Sequence, residues 1–86
     1  MDTLAVIREL AERQFGAEPG TVDPDLPLQD IGIDSLGYLE FLFELEDAVG
    51  VPIPPKDVTD VRTLRELASV VDRLIAEHPA PAEPRQ

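Results

Sequence analysis

Residues 28–49 read Leu28-Gln29-Asp30-Ile31-Gly32-Ile33-Asp34-Ser35-Leu36-Gly37-Tyr38-Leu39-Glu40-Phe41-Leu42-Phe43-Glu44-Leu45-Glu46-Asp47-Ala48-Val49. From Ser35 to Val49 the stretch has the period of a helix. With Ser35 at the origin and an advance of about 100° per residue, Tyr38, Phe41, Leu42, Leu45 and Val49 fall between about 240° and 340°. That is a core-facing stripe. Leu36, Leu39 and Phe43 fall elsewhere, between about 40° and 100°. Glu46, Asp47 and Glu40 flank this second group. The helix therefore carries a short apolar strip with an acidic rim, and Ser35 sits between the two faces at its N-terminal end. A helix buried on two sides would show the same pattern, so the charge distribution has to decide.

Residues 17–60 hold 11 acids and one base, whereas the other segments together hold 7 acids and 6 bases. The charge excess is thus gathered around this helix rather than spread for solubility. We read Leu36, Leu39 and Phe43, with Glu40, Glu46 and Asp47, as an exposed strip that steers basic partner surfaces.

Working outward, two more helices are predicted. The first spans 3–15, with Leu4, Ile7, Leu10, Ala11 and Phe15 on one face and Gly16 as its stop. The last spans 64–77, with Leu64, Leu67, Ala68, Val71, Leu74 and Ile75 in one stripe. Thr63 and Glu66 have capping-box spacing at its start, and Pro79 ends it. Val51-Pro52-Ile53-Pro54-Pro55 cannot be helical throughout, and a short fourth helix is expected near 56–59. No alternating strand pattern occurs. The expected fold is all-α: a small antiparallel helical bundle of three long helices and one short one. A single domain is expected to cover 1–78, followed by a flexible Pro-rich tail over 79–86. Residues 16–34 form an unusually long connection between the first two helices. Its Leu26, Leu28, Ile31 and Ile33 are expected to pin it to the core.

Composition bounds the function. The chain has 86 residues, 43% apolar and 29% charged, which is one globular domain. A formal charge of −11 repels phosphate backbones and anionic membranes. There is no Cys for a disulfide or zinc-thiolate site, and His78 is the one His. No apolar run is long enough to span a bilayer. The reading is a cytoplasmic monomer without metal, nucleic acid or membrane partners. Glu40, Glu44, Glu46 and Asp47 read as a solvated acidic face and not as a cation site. Tyr38 reads as packing, and His78 as a C-terminal cap or an exposed residue.

Ser35 taken alone would be an N-cap. Its surroundings say more. Leu28-Gln29-Asp30-Ile31-Gly32-Ile33-Asp34-Ser35-Leu36, then residues 39–47, Val51-Pro52-Ile53-Pro54 and Val61-Arg62-Thr63-Leu64 closely resemble the acyl carrier protein family, in its discrete polyketide or fatty acid type. The resemblance covers about residues 3–77. It implies that Ser35, flanked by Asp34 and Leu36, bears a 4'-phosphopantetheine arm added from coenzyme A by a phosphopantetheinyl transferase. It also implies partners: an acyl-loading enzyme and condensing or tailoring enzymes. The chemistry fits, because a phosphodiester is favoured at a helix N-terminus, and a chain without Cys needs an imported thiol to form thioesters. With no base beside Ser35 in sequence, the serine reads as a modification site and the chain as no enzyme. Gly37 departs from the family, whose fatty-acid members often have an acid there. Tyr38 and Phe43 are bulkier than is typical. These departures point to a specialised pathway. Two other readings stand beside this one: a peptidyl (aminoacyl) carrier, and an unmodified helical interaction module.

Overall fold

The computed structural model describes residues 2–78. Three α-helices occur, α1 (Thr3–Phe15), α2 (Ser35–Val49) and α3 (Leu64–Glu77), and no strand among the described residues. Their bounds coincide with those expected from the periodicity. Pro79 and the tail over 79–86 lie outside the described residues.

The ends are set by local chemistry. The Asp2 carboxylate accepts the Ala5 N–H at the start of α1, and Thr63 Oγ1 accepts the Glu66 N–H at the start of α3. The Glu66 carboxylate departs from the usual capping box: it accepts from Arg62 N–H, one residue upstream of the cap. Gly16 ends α1 and Gly50 ends α2 with φ of 77° and 78°, a left-handed geometry that glycine takes without steric cost. His78 closes α3, its backbone N–H bonded to the Leu74 and Ile75 carbonyls.

One core joins the three helices. Ile7, Phe41, Leu45, Ile53, Leu64, Leu67, Val58 and Val71 are its largest fully buried side chains. Each contributes about 1.5–3 kcal/mol by leaving water, a large share of the margin of a domain this small. Phe15 packs against Phe41 at the foot of α1, with ring centroids 6.4 Å apart.

Two expectations about the connections need correction. The short fourth helix is a single 3₁₀ turn, Pro55–Asp57, which starts one residue and ends two residues before the expected 56–59. Pro55 starts it readily, but the chain must then turn to bury Val58. A second 3₁₀ turn, Leu28–Ile31, closes the long connection just before α2. Within that connection Ile33 is buried and Leu28 and Ile31 are half-buried against the core, but Leu26 is exposed. Val22 takes the anchoring place instead.

Polar groups complete the anchoring. Glu12 of α1 is buried, and its carboxylate accepts the N–H groups of Gly20 at 2.9 Å and Val22 at 3.2 Å. Burial alone would raise this carboxyl's pKa. The N–H donors, with Arg8 nearby, outweigh that and hold it below its ordinary value. At the far end, Arg65 clasps both oxygens of Asp25, and its N–H donates to the Pro24 carbonyl. The clasp holds the Asp25 carboxyl below its usual range. Leu28 N–H donates to the Arg62 carbonyl at 2.8 Å. The loop is therefore fastened to α1 at one end and to the start of α3 at the other, and it delivers residues 32–35 in a fixed place.

Candidate functional site

The start of α2 lies where this fastened loop ends. Gly32, at φ 91°, turns the chain out of the 3₁₀ turn in a conformation L side chains rarely adopt. Ile33 then enters the core, and Asp34 and Ser35 emerge exposed.

Asp34 caps the helix, and this corrects the simplest role for Ser35. Its carboxylate accepts Gly37 N–H at 2.7 Å, and its carbonyl accepts Tyr38 N–H at 2.8 Å. Ser35 is left at the first helical position, with an exposed hydroxyl that the cap does not use. The N–H groups of Ser35 and Leu36 belong to the unpaired set at any helix start. The site thus combines a reachable hydroxyl with donors and the positive end of a helix dipole.

Gly37 also has a local reason. A Cβ there would stand 3.1 Å from Asp34 Oδ1 and 3.2 Å from Phe15 Cε1. The cap and the Phe15 ring both close over this position, so a side chain there presses both by a few tenths of an ångström.

A groove of about 510 Å³ opens beside Ser35. Leu28 and Ile33 of the loop, Ser35 and Tyr38 of α2, and Val61 and Arg62 ahead of α3 line it. Tyr38 is half-buried, and its hydroxyl donates to the Val58 carbonyl at 3.0 Å, which braces the groove wall. Burial pushes this phenol up to about 12. Packing was expected of Tyr38, whereas this hydrogen bond was not.

The second face of α2 is open. Leu36 and Phe43 are each 66% exposed and Leu39 45%, so the helix is not buried on two sides. Glu40, Glu44 and Asp47 are exposed around them. Glu46 stands apart: it is half-buried, and its carboxylate accepts the Ile53 N–H at 2.7 Å. One of its oxygens therefore serves the Val51–Ile53 turn, which reduces what it can offer a partner. Among the described residues no cluster of three or more His, Cys, Asp or Glu is placed to hold a metal ion. No helix there is long and apolar enough to cross a membrane.

Sequence reasoning missed Glu12, Gly37's two close neighbours and Arg62's place in the groove. Glu12 had a readable signal, an acid at the edge of an apolar stripe next to a long connection. The other two depend on distant segments meeting.

Residues 5–71 match the family described as phosphopantetheine attachment site. The chain is 34% identical over 83 residues to the meromycolate extension acyl carrier protein of Mycobacterium leprae, covering 95% of this chain and 72% of that protein. It is 44% identical over 62 residues, 72% of this chain, to 3% of the phthioceranic/hydroxyphthioceranic acid synthase of Mycobacterium bovis. A free-standing peptidyl carrier protein from an Acinetobacter baumannii secondary metabolic pathway superposes with a TM-score of 0.69 at 33% identity, covering 83% of this chain and 90% of that one.

Proposed function

The chain belongs to the acyl carrier protein family, whose members bear phosphopantetheine, and from that premise we propose that Ser35 is the attachment point and that the cargo is an acyl group of a polyketide or specialised fatty acyl pathway. The single observation that carries the proposal is the division of labour at the start of α2. Asp34 does the capping, and Ser35 presents a free, exposed hydroxyl at the helix N-terminus. An arm bound there supplies the thiol that this Cys-free chain lacks. The residues present fit it: the helix start favours a phosphodiester, and the adjoining groove has apolar walls at Leu28, Ile33 and Val61.

The chain's own part is to hold and to present. Leu36, Leu39 and Phe43 offer contact area, and Glu40 and Asp47 steer basic partners, with Glu46 in a lesser share. Partners in this reading are a phosphopantetheinyl transferase, an acyl-loading enzyme and condensing or tailoring enzymes, in the cytoplasm. The bundle is read as antiparallel and monomeric. The hydrogen bond from Thr3 at the start of α1 to Asp72 in the C-terminal half of α3 supports opposed directions for that pair. Residues 1–78 are read as the carrier domain.

Incubation with coenzyme A and a promiscuous transferase tests the attachment site. Wild type gains the mass of one arm, and Ser35→Ala gains none. An unmodified wild type, or a modified Ser35→Ala, overturns the assignment. The peptidyl reading has the Acinetobacter neighbour in its favour, while the charge of −11 favours the acyl type. Loading the thiolated protein with acyl groups but not with amino acids separates the two.

A further inference from the structure

Among the described residues the arginines differ in what they face. Arg8 pairs with Glu12, Arg65 with Asp25 and Arg73 with Glu77. Arg13 and Arg62 have no such carboxylate partner among the described residues, and of these two it is Arg62 that lines the groove beside Ser35. Its backbone is nevertheless fixed on both sides. Its N–H donates to Glu66 Oε1 at 2.7 Å, and its carbonyl accepts from Leu28 N–H at 2.8 Å. Arg62 thus lines, from a fixed backbone, the same groove that Ser35 lines.

We infer that Arg62 is the counter-ion of the phosphodiester that joins the arm to Ser35, and that this pairing draws the near end of the arm into the groove beside α2. The inference rests on the Ser35 reading and adds a residue to it. Attachment places a negative charge next to the Asp34 carboxylate, within a segment whose one base is Lys56. Like charges this close disfavour each other unless a cation intervenes. Arg62 lines the same groove from the segment ahead of α3, and a guanidinium fork matches phosphate oxygens in geometry as well as charge. The groove's apolar wall at Leu28, Ile33 and Val61 then receives the carbon stretches of the arm. The pairing is partly exposed, so salt weakens it.

The test uses the full chain before and after reaction with coenzyme A and a transferase, with arm addition verified by mass. Side-chain and backbone N–H signals are followed by NMR at low and high salt in wild type, Arg62→Gln and Arg62→Lys. On arm addition the wild-type Arg62 Nε–H signal shifts, together with the amides of Leu28, Ile33 and Val61, and salt diminishes the change. In Arg62→Gln the groove amides lose more than half of their shift, and Arg62→Lys keeps an intermediate share. If the arm is added but the groove shifts are the same in Arg62→Gln, the inference fails and the Ser35 reading stands. If wild type accepts no arm, both fail.

Discussion

Phe15 Cε1 lies 3.2 Å from the point where a Cβ on Gly37 would stand, so the end of α1 packs over the first turn of α2 with no slack for a side chain at that position. Gly inside a helix costs about 1 kcal/mol relative to Ala. Gly37→Ala removes that cost but presses on the Phe15 ring and on Asp34 Oδ1, which caps the helix. We expect the two to offset, with a net change in stability within about 0.5 kcal/mol. In a Phe15→Leu background one of the obstructions goes, and the propensity gain should appear. Urea unfolding of the four proteins forms a double-mutant cycle. Additivity would show that the ring does not constrain residue 37. Gly37→Asp, the change toward the fatty-acid members, should destabilise because it sets a second carboxylate against Asp34.

Glu12 makes the long connection sensitive to acid. Its folded-state pKa lies below the ordinary value of 4.5, because the N–H donors of Val22 and Gly20 outweigh burial. A depressed carboxyl contributes stability that is fully present above the unfolded pKa and is lost as pH falls through the lower folded one. Wild type should therefore weaken below about pH 4.5, and amide exchange at Gly20 and Val22 should quicken before that of the core. Glu12→Ala should show fast exchange at those amides already at neutral pH and a flatter stability profile over the acid range. Equal pH profiles for the two proteins would remove Glu12 from the account.

Tyr38 gives a matching test at high pH. It is the one tyrosine of the chain, so ultraviolet titration reads it alone. Its phenol is expected to ionise near 12 in the folded protein, against an ordinary value of 10.0. Here the neutral form is favoured by folding. The contribution is present below the unfolded pKa and is lost as pH rises through the folded one. Tyr38→Phe removes both the titration and the hydrogen bond to Val58, at a cost of about 0.5–1.5 kcal/mol. A midpoint at the ordinary value would mean that the hydroxyl is not buried against Val58.

The helices were legible because each carries its own instructions. Apolar spacing fixes the faces of α1, α2 and α3, and Gly16 and Thr63 mark an end and a start, whereas the caps at Asp2 and Gly50 emerge only from the structure. Two stripes on α2, read together with the acids gathered around this helix, separated Phe41 and Leu45, both fully buried, from Leu36 and Phe43, both exposed. What could not be read depends on contacts between distant segments. Glu46 looked like rim from its angle on the helix, but Ile53 N–H claims its carboxylate. Leu26 looked like an anchor from its composition, but Val22 packs there because Glu12 pulls residues 20–22 inward. Asp and Ser cap helices about equally well, so only the backbone could assign the cap to Asp34 and leave Ser35 free.

Phe41 and Phe43 are two residues apart on α2 and should answer to different measurements. Phe41 is fully buried against Phe15 and the core, and Phe43 is 66% exposed. Phe41→Ala should cost about 3–5 kcal/mol, the scale for truncating a buried aromatic. Phe43→Ser should change stability by about 0.5 kcal/mol or less. On the proposed docking role its effect belongs to partner encounters: the rate of arm transfer by the transferase should fall while the melting temperature stays put. Adding salt should slow transfer to wild type, since the role proposed for Glu40 and Asp47 beside Phe43 is steering. A large loss of stability in Phe43→Ser would move Phe43 into the core. Unchanged transfer with unchanged stability would place the docking strip elsewhere on the surface.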